Sequence, residues 1–286
     1  MTTPTLFRLE ITIDASRREE AVGLAFVLGA SGVEVRDEET GHDGEHAVVI
    51  SWHGGDPEVI LTRTANALGA DVQAAIYPES LEGWETEVSA GPRYLGPGIA
   101  VINAGDPAPG NLIPIRLNHG VGFGTGTHPT TTLCLQALEE MAEKRALGRV
   151  LDFGTGTGIL GITASKLGAS SVVGIDIDQA ALDSAAQNVA LNDCTDITLA
   201  TALDSEMDRF DVVMANLYLG VLLSTLADLL DWVKPDGFCV LTGFTDEHRS
   251  TIEGACADLG WGVFDVQTQE PWVLLRLRQN LEVITS

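Results

Sequence analysis

Lysine is nearly missing from this chain. It occurs only at Lys144, Lys166 and Lys234, and the basic residues together number 16 against 41 acidic ones, a formal net charge of −25. That balance excludes a chain built to neutralise a nucleic-acid backbone, which needs clusters of Lys and Arg. Two explanations of the acidity stay open: adaptation to a salty or acid-rich proteome, and attraction of a basic partner. Cysteine is scarce as well. Cys134, Cys194, Cys239 and Cys256 lie far apart with no CxxC spacing, so reduced, structural thiols are expected and neither a disulfide frame nor a zinc site is. No apolar run approaches the roughly 18 residues that span a bilayer, and MTTPTLFRLEI has no basic region leading into an apolar core. The expectation is a cytoplasmic protein without a membrane partner. What is there, 45% hydrophobic residues and 20% charged ones, is the composition of a chain folded almost throughout.

At 286 residues the chain has room for two domains. Within residues 1–78, LFRLEITI, GVEVRDE, HAVVISWH and DVQAAIYP predict strands. Helices are predicted over SRREEAVGLAFVLGA, opened by Ser16 and closed near Gly29, and over DPEVILTRTANALGA, with Asp56 as cap and Pro57 in the first turn. The order βαββαβ is that of a small ferredoxin-like α+β domain. His42 and His46 fall in the polar turn EETGHDGEH, where a solvated loop is favoured over a metal pair. Residues 79–98, rich in Gly, Pro and Glu, read as a linker.

Residues 99–286 form the second domain. After two short strands, GIAVINAG and NLIPIRLN, helices and strands alternate regularly from Pro129 onward, closing with the strands GVFDVQTQE and PWVLLRLRQ. This pattern predicts an α/β doubly wound sheet ending in a hairpin.

Two glycine strings follow one another, GVGFGTGTHPTTTLCL at 120–135 and VLDFGTGTGILGI at 150–162. The second places Asp152, Gly154, Gly156 and Gly158 between an apolar strand and a helix, where a nucleotide-type ligand must approach the backbone closely. Gly156, Gly158 and Gly161 also satisfy GxGxxG, so the pattern alone leaves a dinucleotide open. Asp152 separates the two ligands. A carboxylate there repels a pyrophosphate and suits the ammonium and sulfonium charges of S-adenosylmethionine. Asp176, at the next strand's tip in GIDID, is placed to accept hydrogen bonds from both ribose hydroxyls, with an ordinary strand-end residue as the alternative. Asp178, before QAAL, reads as a helix cap.

Asn216 ends the strand FDVVMAN, opposite the glycine loop. Its amide suits an amine nucleophile, which it holds without protonating; the alternative is a cap for LYLGVLL. Methyl transfer is an in-line displacement that needs alignment and a deprotonated amine, so no nucleophilic triad or metal is required. The first glycine string does not follow a long apolar strand, and it leads into Pro129, a first-turn residue. It reads as a loop over the methionine end of the ligand, with Thr131 offering a hydroxyl, or as a Gly-rich turn that caps a helix. His128, beside Pro129, reads as structural.

GFGTGTHPTT, LDFGTGTGILGI, GIDID and DVVMAN, in that order behind a βαββαβ domain, closely resemble the PrmA family, the bacterial methyltransferase of large-subunit ribosomal protein number eleven. The resemblance covers nearly the whole chain, and GTGTHPTT is its most specific element. It implies a seven-stranded class I methyltransferase sheet, whose finish in a hairpin is similar, and S-adenosylmethionine contacts at Thr131, Gly154, Asp176 and Asn216. It also implies a recognition role for the small N-terminal domain. The implied reaction is N-methylation of lysine side chains, and of an α-amino group, on a basic ribosomal protein. A monomer is expected, and the charge balance argues against direct nucleic-acid binding. The chain departs from the family's pattern in NLYLG, where Asn-Ile-Leu-Ala is usual, so that Tyr218 and Leu219 wall the acceptor side. It departs also in a linker with the single Trp84, and in Thr155 and Thr157, where Cys and Ser are commoner. The first departure keeps open a methyltransferase of the same fold acting on another protein or a small-molecule amine. A non-catalytic module that retains the pocket, and an NAD-dependent oxidoreductase, are the remaining readings.

Overall fold

The computed structural model describes residues 7–28, 30, 32–36, 46–53, 56–69, 72–78, 92–118 and 128–279. His42, Gly29, Trp84 with most of the expected linker, and the glycines of the first string lie outside the described residues. The chain divides into two compact units, Met1–Ser89 and Ala90–Ser286.

The first unit runs β1 (Phe7–Asp14), α1 (Arg18–Val27), β2 (Gly32–Arg36), β3 (His46–His53), α2 (Pro57–Leu68), β4 (Gln73–Pro78). Its sheet has the order β2-β3-β1-β4 with every pair antiparallel, the ferredoxin-like arrangement that the βαββαβ pattern predicts. Phe7, Leu9, Ile11 and Ile13 of β1 are buried while Arg8, Glu10 and Thr12 between them are partly exposed. That period of two marks a sheet covered on one face only. Ser16 does not open α1. The chain enters through a 3-10 turn, Ala15–Arg17, and Asp14 Oδ1 accepts from the Ser16 backbone N–H at 2.9 Å. A carboxylate only accepts hydrogen bonds and does so more strongly than a hydroxyl, so it takes the capping role, and the Ser16 hydroxyl donates to it too. α2 begins as expected, with Pro57 first and Asp56 accepting from Glu58 N–H at 3.0 Å.

The second unit opens with a three-stranded sheet, β5 (Tyr94–Leu95), β6 (Ile99–Asn103) and β7 (Ile113–Leu117). β5 lies inside the segment read as linker. Next come α3 (Pro129–Lys144), β8 (Arg149–Phe153), α4 (Ile159–Lys166), β9 (Ser171–Ile175), α5 (Gln179–Leu191) and β10 (Ile197–Ala200). The chain continues with β11 (Phe210–Asn216), α6 (Leu219–Asp231), β12 (Val233–Thr245), α7 (Arg249–Asp258), β13 (Trp261–Gln269) and β14 (Trp272–Gln279). The seven strands lie in the order β10-β9-β8-β11-β12-β14-β13. β8 to β12 are parallel, and β14 runs antiparallel to both its neighbours.

From β8 the chain builds outward to β9 and β10, then returns to β11 on β8's other side. The switch point therefore falls between β8 and β11, and the carboxyl ends of the strands there are where open α/β sheets bind ligands. Val212 to Ala215 of β11 are buried without alternation, because apolar clusters cover both faces. Leu138, Val150, Ile162 and Met214 belong to one cluster, Leu151, Val213, Leu226 and Ile252 to the other. Glu139 of α3, itself buried, accepts from Tyr94 O–H at 2.7 Å, Gly98 N–H at 2.7 Å and Ile99 N–H at 3.0 Å, which ties the small sheet to α3. The four cysteines are buried and free. Among the described residues no helix is long and apolar enough to cross a membrane.

Candidate functional site

The second glycine string folds over the end of β9. Gly154, Gly156 and Gly158 take φ of +77°, +53° and +81°, a left-handed conformation that L side chains resist. Gly154 and Thr155 N–H both donate to the Ile175 carbonyl, at 2.9 and 2.8 Å, and Gly158 N–H donates to the Thr155 carbonyl at 2.8 Å. Asp152, only 1% exposed, lies under this loop and accepts through Oδ2 from the Thr155 hydroxyl at 2.7 Å and Gly161 N–H at 3.0 Å. Burial, with help from the Asp176 charge, pushes its carboxyl up to about 6 against those two hydrogen bonds. Asp176 accepts from Gly156 N–H and Asp178 N–H, both at 3.0 Å, and so joins the loop to the tip of β9. Asp178 caps α5, accepting from Ala180 N–H at 2.9 Å.

Across the switch point stands Asn216. It does not cap α6, whose first residue is Leu219 and whose cap position is Tyr218. Its position is set by close packing on either side of Leu217. A Cβ on Gly154 would come within 2.5 Å of the Leu217 side chain. Gly243, at φ +103°, bends β12 around the same residue so tightly that a Cβ would stand 2.2 Å from the Leu217 carbonyl oxygen.

α3 brings in Thr131. His128 caps this helix, its Nδ1 accepting from Thr130 N–H at 3.3 Å, and its ring stands edge-on to Trp272 at 4.7 Å. That is the structural role expected of His128. α3 packs against α4 and β11, and one turn beyond Thr131 the Cys134 thiol is pushed up, first by burial and then by the Asp152 charge. Asp152, the three glycines, Asp176 and Asn216 thus gather at the tips of β8, β9 and β11, while Thr131 is buried in the first turn of α3.

Two of these residues carry a buried polar atom without a hydrogen-bond partner: Thr131 Oγ1 and Asn216 Oδ1. Such atoms cost about 1–3 kcal/mol each unless something satisfies them, and Asn216, whose neighbour Ala215 pairs with Phe153 just before the left-handed glycines, carries its orphaned oxygen at the strand tips where a ligand is expected. Two acids and no basic side chain among these residues suit a cationic ligand better than a pyrophosphate. Sequence reasoning missed Ile177. It is 90% exposed, an apolar side chain standing in water next to Asp176. An apolar residue between two acids just beyond a strand's end was the available signal.

A profile of the ribosomal protein L11 methyltransferase (PrmA) family matches residues 84–280. A ribosomal protein L11 methyltransferase of Cupriavidus metallidurans is 34% identical over 280 residues, covering 87% of this chain and 89% of that protein. One of Geobacter metallireducens is 42% identical over 169 residues, covering 59% of this chain and 55% of its own length, so that alignment spans about half of the relative. The crystal structure of a ribosomal protein L11 methylase from Lactobacillus delbrueckii subsp. bulgaricus superposes with a TM-score of 0.61 at 30% identity, over 66% of this chain and 99% of that one. With the switch-point site and the strand order in place, these likenesses fix the lineage: the chain belongs to the ribosomal protein L11 methyltransferase family.

Proposed function

We propose that this chain is an S-adenosylmethionine-dependent N-methyltransferase that modifies lysine side chains, and an α-amino group, of a basic ribosomal protein. The observation that carries the reading is the orphaned Asn216 Oδ1 at the tip of β11, beside the left-handed glycine loop that follows β8; the orphaned Thr131 Oγ1 in the first turn of α3 adds to it. Membership of a family whose members are named for methylating a ribosomal protein supports the substrate. S-adenosylmethionine, when bound, supplies a methyl group on a sulfonium, open to in-line displacement by an amine.

The chain's own residues bind and align. Asp176 has lone pairs left for the ribose hydroxyls after accepting its two backbone N–H groups. Ile177 is an apolar platform for adenine. Thr131 and the glycine backbone hold the methionine end, and Asp152 acts there through its charge, since its Oδ2 is committed to Thr155 and Gly161. Asn216 Oδ1 accepts an N–H of the incoming amine and orients its lone pair. A lysine ordinarily holds its proton up to about pH 10.4, and desolvation at the closed strand tips favours the neutral form that can react. The ferredoxin-like unit, with one sheet face open, serves as the recognition module, and the net charge of −25 steers a basic protein toward the chain. We place this activity in the cytoplasm, in a monomer that binds no nucleic acid.

Incubation with methyl-labelled S-adenosylmethionine and host ribosomal proteins, read by mass spectrometry, tests the proposal. Label on the lysines of one ribosomal protein is the expected result. Label on a metabolite and on no ribosomal protein overturns the substrate. It favours a small-amine methyltransferase, a second reading supported by Tyr218, whose phenol sits part-buried two residues from Asn216 and is pushed up by that burial.

A further inference from the structure

Asn188 and Asn192 lie one turn apart at the end of α5, 1% and 3% exposed. Buried amides are costly unless their donors and acceptors are matched, and these are matched to backbone groups of two other segments. Asn192 Oδ1 accepts from Arg116 N–H at 2.8 Å, and its Nδ2 donates to the Arg116 carbonyl at 2.7 Å. Asn188 Oδ1 accepts from Asn118 N–H at 2.9 Å. Arg116 of β7 and Asn118, the residue just beyond it, face one edge of the strand, whose other edge is paired with β6. The two amides therefore stand where a neighbouring strand would.

Asn188 makes one bond that has no equivalent at Asn192. Its Nδ2 donates to the Thr157 carbonyl at 2.9 Å, inside the glycine loop. That carbonyl shares a rigid peptide plane with Gly158 N–H, which donates to the Thr155 carbonyl at 2.8 Å. The plane between Thr157 and Gly158 is thus held at both ends, between two left-handed glycines at φ +53° and +81°. Asp152, under the same loop, accepts from Thr155 and Gly161; as a carboxylate it has no proton to donate to a carbonyl oxygen.

We infer that Asn188 is a positioning residue of the cofactor site: it fixes the peptide plane between Thr157 and Gly158, and with it the curve of the loop against which the ligand lies. The inference rests on the reading of that loop as the floor of an S-adenosylmethionine site. Calorimetry with S-adenosylhomocysteine and thermal unfolding, on the wild type, Asn188→Ala, Asn188→Asp and Asn192→Ala, test it. A wild type that binds no S-adenosylhomocysteine refutes the reading itself, and the inference with it, whatever the variants do. With a wild type that binds, Asn188→Ala raises Kd by about 10- to 100-fold, the cost of freeing a buried bond at the loop. Asn192→Ala breaks its own bonds to Arg116 and to the Asn188 main-chain carbonyl and loses comparable thermal stability, yet holds Kd within about twofold, because it leaves the Asn188 side chain on the Thr157 carbonyl. Asn188→Asp keeps the acceptor for Asn118 but turns a carboxylate toward the Thr157 carbonyl. On acidification it regains an O–H donor, so its affinity relative to the wild type recovers as pH falls. Equal affinity losses in the two alanine variants overturn the inference, as does an unchanged Kd in Asn188→Ala. Should Asn188→Ala fail to fold, a flat pH profile for Asn188→Asp overturns it alone.

Discussion

Strand β1 of the four-stranded sheet and strand β11 of the seven-stranded sheet differ in how they are buried. β1 alternates, with Arg8, Glu10 and Thr12 reaching an uncovered face; β11 is buried without a break from Val212 to Ala215. A sheet covered on one side can present side chains anywhere along the other, as the Arg8 guanidinium does, 5.1 Å from the centre of the exposed Tyr77 ring. A sheet covered on both sides has no such freedom, and polar function has to leave the strands at their ends. Asp152, Asp176 and Asn216 all stand there. One sheet offers an area, the other a point, and a protein that must recognise a large substrate and align a small ligand has a use for each.

The largest test of this contrast is at the point. Gly243→Ala forces a Cβ against the Leu217 backbone at a positive φ, and we expect it to cost about 3–4 kcal/mol in thermal unfolding, with cofactor binding lost. Gly168→Ala, at φ +91° with nothing within 4 Å, costs only the conformational strain, about 1–2 kcal/mol, and leaves binding intact. Next in size, Asp176→Ala raises the Kd for S-adenosylhomocysteine by about 10- to 100-fold while the unfolding midpoint moves by a few degrees at most. A collapsed midpoint with unchanged Kd would make the tip scaffolding rather than site.

A smaller effect comes from Asp152. Its folded pKa of about 6 lies above the ordinary 3.8, so between those values the folded state binds more protons than the unfolded one. Its contribution to stability is whole below pH 3.8 and is lost as pH rises through 6. Affinity for the cationic S-adenosylmethionine runs the other way, rising by up to about tenfold from pH 5 to pH 7 as the carboxylate ionises. Asp152→Asn flattens both curves, which calorimetry and unfolding across that range will read. The smallest effect is on the area. Ala75→Lys, on the exposed strand β4, changes stability by less than about 0.5 kcal/mol and leaves cofactor affinity untouched. If this face recognises a basic protein as proposed, the substitution slows methylation at low salt, because it adds a like charge there.

The element order of both units was legible because hydrophobic period and turn chemistry are local. Asp56 and Asp178 could be named as caps for the same reason, while Ser16 lost that role to Asp14, two residues away, on acceptor strength. The placement of Asp152, Asp176 and Asn216 at strand tips was legible because each stands within one residue of the end of an apolar strand. Tertiary facts were not. Leu217 and Gly243 fit each other across two strands, and neither sequence neighbourhood announces the other. Ile177 reads as one more apolar residue of a strand until the strand is seen to stop before it. Asn188 and Asn192 read as the polar face of an amphipathic helix, SAAQNVALN, and only the position of β7 reveals what their amides bind. β5 escaped notice because two residues, Tyr94 and Leu95, are too few to show a period.

β14 is last of the described strands in chain order but not in the sheet, where it lies between β12 and β13. During synthesis, β12 therefore waits with one edge bare and β13 with no neighbour until Trp272–Gln279 leaves the exit tunnel. The same segment brings Trp272 to His128, the cap of the helix that carries Thr131. Its pairing with β13 is a local hairpin, Gln269 opposite Trp272, whereas the parallel ladder of β8 with β11, Val150 opposite Val212, joins segments much farther apart in the chain. Insertion of β14 between two strands made before it thus also settles the capped start of the helix that carries Thr131.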